Sequence, residues 1–273
     1  MHIRPITAKD VEPAISVLQE QGWDNRQQFE FYFNHPSCHP FVAVVDGKVV
    51  GTAVGTRNGN VGWLGNIFVS LKFRRYGIGT ALTSTLIEHL EKLGCRTLLL
   101  IATDLGRSIY ERLRFTAVTC YHVFEGPALA NLPRHPLLRP LTADDLPRVC
   151  ELDRWVTGED RSDLLRAFSD KGWVVTSENG SICGFYISTP WGRGPIVATD
   201  PDAGKTLLDL RRARDGGPDT VVKHAMTTEN AVGRKYLARS GFKEINRLTR
   251  MIRGEPLHWH PAAIWGQFNF ALG

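Results

Sequence analysis

The chain has 273 residues, a formal net charge of +5, 42% hydrophobic and 22% charged residues. This balance excludes a disordered chain, no apolar run approaches the roughly 18 residues that cross a bilayer, and the basic residues are too scattered for a nucleic-acid surface. The five cysteines, at 38, 95, 120, 150 and 183, are odd in number and form no C-x-x-C pair, so neither a disulfide framework nor a cysteine-held zinc is expected, and a reducing compartment is.

Met1–Pro5 carries no apolar signal core, which points to a cytoplasmic location. Ile3-Arg4-Pro5-Ile6-Thr7-Ala8-Lys9-Asp10-Val11 reads as a short strand and a helix start, with Thr7 and Asp10 suited to capping the first turn. His35 and His39 invite a metal reading, but Pro36 and Pro40 argue against a helical ligand pair, so no metal is expected there. Phe41–Gly51 reads as strand, Asp46-Gly47 turn, strand. Trp63–Val69 reads as a buried strand. A short link and Arg74-Arg75-Tyr76-Gly77-Ile78-Gly79 then lead into a helix from about Gly77 to Leu93. Its apolar residues Ile78, Ala81, Leu82, Leu86, Leu90 and Leu93 share one face, and Gly94 stops it. A strand at Thr97–Ile101 follows.

Gly126-Pro127 and Pro133-Arg134-His135-Pro136 mark a linker over 127–137, between domains of 1–126 and 138–273. The second part repeats the first. Leu138–Leu146 matches Ile3–Val11, with Thr142 and Asp145 where Thr7 and Asp10 stand. Trp173–Thr176 with Asn179–Gly184 mirrors the Asp-Gly hairpin, and Tyr236–Phe242 mirrors Ile109–Phe115. Three ordered matches point to a duplication.

A strand, a glycine-containing loop and a helix N-terminus together form an anion site. Unpaired N–H groups and the positive dipole end face the ligand, and glycine lets the backbone approach it. The R-x-x-G-x-G of Arg74, Gly77 and Gly79 resembles the pyrophosphate loop of the Gcn5-related N-acetyltransferase (GNAT) superfamily. Val69, five residues ahead of Arg74, fits that pattern, while Leu71 stands where the family often has proline. Ile109-Tyr110-Glu111-Arg112-Leu113-Arg114-Phe115 resembles the family's Leu-Tyr-Glu-Lys-Leu-Gly-Phe segment, with Arg114 in place of glycine. The resemblance covers roughly residues 1–125.

The resemblance implies an α/β (α+β) fold of two tandem GNAT-like domains, each a mixed, mostly antiparallel twisted sheet flanked by helices. It implies an acetyl-CoA-dependent N-acetyltransferase acting on a primary amine of a small molecule or peptide, with no metal, nucleic acid or membrane partner, as a monomer or homodimer. Backbone N–H groups of Arg75, Tyr76, Gly77, Ile78, Gly79 and Thr80 would hold the pyrophosphate. Ile67, Phe68 and Val69 would pair edge-on with the pantetheine amides. Arg74 and Arg75 would meet cofactor phosphates, whereas Lys72 is read as a solvated side chain. An N–H near Val69 would face the developing oxyanion, and Tyr110 would protonate the leaving thiolate. Leu64–Val69 contains no glutamate, so the base is open between Asp104, Glu30, His122 and a water chain. Two other readings stay open: a non-catalytic acetyl-CoA binding or sensing protein, and an enzyme for a longer acyl-CoA.

In the second domain, aligning Gly204 with Gly79 puts Asp202 at the place of Gly77 and Thr199 at the place of Arg74. Aspartates there would repel a pyrophosphate. Leu237 replaces the tyrosine, and Gly204-Lys205-Thr206 is no P-loop because Thr199 stands where that motif needs glycine. No acetyl-CoA site is expected in this half. It resembles the YitH-type C-terminal GNAT domain through Gly194-Pro195, Ala198-x-Asp200, Arg247–Met251 and the closing Phe270–Gly273. Thr227, Glu229 and Asn230 read either as pocket residues or as a helix cap with Thr228, the cap being preferred. His258-Trp259-His260, followed by Pro261, reads as a loop rather than a metal pair.

Overall fold

A computed structural model describes residues 1–23, 26–214 and 220–273. The repeated Arg-Pro-x-Thr-Ala-x-Asp start folds the same way twice. Strand β1 (His2–Pro5) carries Arg4, which donates to the two Asp10 oxygens at 2.7 and 2.9 Å, while Asp10 accepts the Thr7 amide at 2.9 Å. Strand β7 (Leu138–Pro140) carries Arg139, which donates to Asp145 at 2.6 and 2.8 Å, and Asp145 accepts the Thr142 amide at 2.8 Å. The Thr–Asp caps are as the sequence suggested. The arginine clamp on each was not foreseen, because it joins residues six apart across the strand–helix corner. The arginine hydrogen bonds hold both aspartates well below the usual carboxylate range. Helices α1 (Val11–Gln19) and α5 (Leu146–Thr157) follow these corners.

After helix α2 (Arg26–Asn34), strands β2 (Cys38–Val45), β3 (Lys48–Asn58) and β4 (Val61–Val69) extend β1 as an antiparallel meander. Helix α3 (Ile78–Lys92) crosses over to strand β5 (Thr97–Ala102), which lies parallel to β4. The apolar stripe read from the sequence is the buried one: Ile78, Leu82, Leu86 and Leu90 pack on Val50, Ala53, Leu98 and Leu100 of the sheet. Helix α4 (Asp104–Arg112) then leads to strand β6 (Thr116–Pro127).

The two repeats exchange their last strands. Strand β12 (Lys243–Gly254), from the second repeat, pairs with β5 through Thr249↔Ala102 to Gly254↔Thr97. β6, from the first, pairs with strand β11 (Val221–Thr227) of the second, and β12 and β6 pair with each other. The result is one eight-stranded sheet ordered β1-β2-β3-β4-β5-β12-β6-β11. Met251 of β12 accordingly lies in the first repeat's core beside Phe115. Strands β8 (Gly172–Thr176), β9 (Ile182–Ile187), β10 (Ile196–Ala198) and β13 (Ile264–Gly266) form the second sheet, ordered β13-β10-β9-β8-β7. Helices α6 (Ser162–Ala167), α7 (Pro201–Arg214) and α8 (Ala231–Arg239) complete this half. Both sheets are antiparallel apart from β4–β5, in keeping with the fold class expected from the sequence.

A buried polar junction also joins the repeats. Glu159, 2% exposed, accepts from Trp63 Nε1 at 2.7 Å and from Asn58 Nδ2 at 2.9 Å. Among the described residues no helix is long and apolar enough to cross a membrane.

Candidate functional site

Strands β4 and β5 separate partway along. Their pairing runs from Val61↔Thr97 to Leu64↔Leu100 and ends there. On its other side β4 stays paired with β3, but the register shifts between Thr52↔Phe68 and Val54↔Gly65, which sets Asn66 and Ile67 opposite one β3 residue. Asn66 sits at φ 49°, the left-handed region that asparagine tolerates. Such a bulge bends its strand. It leaves the edge of Gly65–Val69, including the predicted Ile67, Phe68 and Val69, turned away from β5.

That edge runs into the loop before α3. Ser70 and the Leu71 amide are held by the Glu20 carboxylate, at 3.2 and 3.0 Å. Gln21 donates to the Val69 carbonyl at 3.1 Å and accepts from Arg74, tying the motif arginine to the strand end. Gln21 carried no sequence signal, because it lies beyond α1 and comes to the loop only through the fold. Arg75 (φ 67°) and Gly77 (φ 78°) are left-handed, and Gly77 is the N-cap of α3. The amides of Arg74, Arg75, Tyr76, Gly77, Ile78, Gly79 and Thr80 meet no acceptor among the described residues. A Cβ at Gly77 would meet nothing within 4 Å, and one at Gly79 would meet only Val69 Cγ2 at 3.8 Å. Protein packing does not account for either glycine's missing side chain, which leaves an open cradle of amides at a helix N-terminus.

Tyr110 comes from α4 onto the same region. Its ring packs edge-on to Phe115 at 6.3 Å, and burial pushes the phenol above its usual value, so it keeps its proton at neutral pH. Tyr110, Gly65 and Phe68 line a cavity of about 730 Å³. Its opposite wall comes from the second repeat, including Trp191, Arg193, His224, Gln267 and Phe270. The chain's last residues press directly on the bulge: a Cβ at Gly65 would stand 2.5 Å from Ala271 Cβ. Apart from Phe270, which stands in the closing segment already noted in the sequence, these second-repeat residues were missed by the sequence reading, since they share no motif and meet only through the interleaved sheet.

The base candidates do not reach this cavity. Asp104 is exposed on α4 and Glu30 half-buried on α2, and neither lines it. His122 is buried on β6, 3.1 Å from Thr228 Oγ1 and 3.1 Å from Glu244, away from it. No Asp or Glu stands among the described lining residues. Thr227, Glu229 and Asn230 do not line it either. Asn230 caps α8 by accepting the Gly233 amide at 2.8 Å, Thr227 donates to the Pro261 carbonyl at 2.9 Å, and Glu229 accepts from Thr119 at 2.9 Å.

The matching place in the second repeat is filled by the chain itself. β13 pairs along β10 through Ile196↔Gly266 and Val197↔Ile264. At the start of α7, Asp200 accepts the amides of Asp202 and Ala203 at 3.0 and 2.8 Å. A Cβ at Gly204 would collide with the Trp265 ring, so this glycine serves packing.

Two family models match the chain, one described as Acetyltransferase (GNAT) family over residues 8–115 and one as Acetyltransferase (GNAT) domain over residues 149–266. An acetyltransferase of Pectobacterium atrosepticum is 30% identical over 128 residues, covering 44% of this chain and 91% of that protein. A crystal structure from Pyrococcus horikoshii superposes with a TM-score of 0.82 at 20% identity, covering 100% of this chain and 95% of that one. A tandem GNAT protein from the clavulanic acid biosynthesis pathway superposes with a TM-score of 0.64 at 16% identity, covering 93% and 99%.

Proposed function

Because the chain belongs to the GNAT acetyltransferases, with two GNAT domains in tandem, we propose that it transfers an acetyl group from acetyl-CoA to a primary amine in the cavity between the repeats. The observation that carries this reading is the splayed β4 edge leading into seven unpaired amides at the start of α3. Acetyl-CoA supplies the activated acetyl group as a thioester. The amides from Arg75 to Thr80 receive its pyrophosphate, and Arg74 and Arg75 add positive charge beside it. The exposed backbone of Ile67, Phe68 and Val69 pairs with the pantetheine amides as one strand pairs with another.

The reaction forms a C–N bond and breaks the C–S bond. An N–H near Val69 polarises the thioester carbonyl as negative charge grows on its oxygen. Tyr110 gives its phenolic proton to the departing sulfur. Its raised pKa keeps that proton in place beforehand. The amine's own proton leaves through water, since no described carboxylate lines the cavity. The first repeat thus carries the cofactor and the chemistry, and the second closes the acceptor side.

Tyr110→Phe tests the acid role. We expect kcat to fall by about 100-fold, the scale of general acid–base catalysis, with acetyl-CoA affinity unchanged in titration calorimetry. An unchanged kcat would remove Tyr110 from the chemistry.

A further inference from the structure

We propose that the acceptor carries an anionic oxo group, a carboxylate or a phosphate, remote from its amine, and that the second repeat seats this group at His224 and Arg193. This rests on the reading above that the cavity holds the acceptor.

His224, on β11, lines the cavity and is 2% exposed. Its Nδ1 lies 3.2 Å from Arg211 Nη1. A guanidinium only donates, so Nδ1 is the accepting nitrogen and the ring proton sits on Nε2. Burial, then the charges of Arg211, Arg212 and Arg193, hold the imidazole far below its ordinary pKa, so this neutral tautomer persists. Nε2 is buried and meets no partner in the protein. A buried N–H without an acceptor is costly, and a ligand oxygen would relieve that cost.

Among the described lining residues the charged groups are basic: Arg193 and Arg211 contribute to the cavity wall, Lys223 does so with its ammonium 3.8 Å from Glu125, and no described Asp or Glu lines it. Arg211 also donates to the Lys223 carbonyl at 3.0 Å, which fixes its guanidinium beside His224. A second ammonium on the acceptor would find no described carboxylate on this wall, whereas an anion meets the His224 N–H donor and the positive charge of Arg193 and Arg211. Gln267 Oε1 is buried without a partner on the same cavity and suits the N–H of the amine end. Tyr110 lines the same cavity, so one molecule can serve both ends.

The test uses the full chain and matched amines: 4-aminobutyrate against n-butylamine and putrescine, and phosphoethanolamine against ethylamine. Acetyl transfer is measured at saturating acetyl-CoA, and binding of each amine is measured separately by calorimetry without acetyl-CoA. The anionic member of at least one series should be preferred about 10- to 100-fold, the scale of charged hydrogen bonds, and the preferred series identifies the oxo group. His224→Leu should erase the preference, and His224→Gln, which keeps an N–H donor, should restore most of it. Equal use of matched amines, a preference for putrescine, or no binding of either anion would overturn the proposal. Selective binding of an anionic amine without any acetyl transfer would support the anion site and overturn the acetyl-transfer reading instead.

Discussion

The starts of α3 and α7 are the same point of two copies of one fold, and they differ in what meets the helix amides. At α3 the amides from Arg74 to Thr80 face no protein acceptor, and the neighbouring β4 edge is turned away from β5. At α7 a carboxylate, Asp200, takes two of the amides, Trp265 covers Gly204, and β13 lies along β10. A helix N-terminus attracts an anion only while its amides and the space before them are free. Duplication therefore produced one open cradle and one closed by the protein's own groups. The interleaved β12 and β6 then set the second repeat as the wall opposite the first repeat's cradle.

The largest expected effect comes from cutting the repeats apart. Residues 1–126 alone would lack β12 and β11, leaving both edges of β6 and one edge of β5 unpaired. Unpaired edges and a lost core strand favour aggregation over folding. We expect no cooperative melting transition from this segment. A sharp transition would show that the exchange is dispensable and the comparison too strict.

Gly77→Asp comes next. Its φ of 78° suits aspartate better than most residues, and no atom lies within 4 Å of the new Cβ, so the fold should persist. The added charge would face the pyrophosphate of the proposed site, and like charges at an interface cost several kcal/mol, so acetyl-CoA affinity should fall by more than about 100-fold. Gly77→Asn, neutral and similar in shape, should lose much less. Equal losses would make shape rather than charge the cause.

Trp265→Ala sharpens the comparison from the closed side. Trp265 is 2% exposed against Gly204, so its removal should cost about 3–5 kcal/mol in denaturant melts. It should open no second acetyl-CoA site, because Asp200 and β13 remain. Gly65→Ala should cost less, about 1–3 kcal/mol, by forcing Ala271 off the bulge, and should raise the acceptor KM more than the acetyl-CoA KM.

The smallest effect is on acid stability. Asp10 and Asp145 have folded pKa values below their unfolded value near 4. Their contribution is full above that value and is lost as pH falls through it toward the folded values. Tm should drop below about pH 4, and Asp10→Asn should lower Tm at pH 7 while flattening the acid decline.

Much of the fold was legible in the sequence because its signals are local. The repeated Thr–Asp corners, the Asp46-Gly47 turn and the apolar stripe of α3 each lie within a few residues. The cradle was legible too, since Arg74, Gly77 and Gly79 sit on one loop. The exchange of β6 and β12 was not, because either strand satisfies the same alternation beside β5. The cavity wall was not, because Gln21, the pair Trp191 and Arg193, His224 and Gln267 come from four separate places and meet only in three dimensions. The base candidates failed for the same reason in reverse: Asp104, Glu30 and His122 had suitable chemistry but lie outside the cavity.

Calorimetric titration of the whole chain with acetyl-CoA tests the contrast between the two cradles most directly. One bound equivalent per chain, lost in Gly77→Asp, is the expected result. Two equivalents, or one that survives Gly77→Asp, would contradict it.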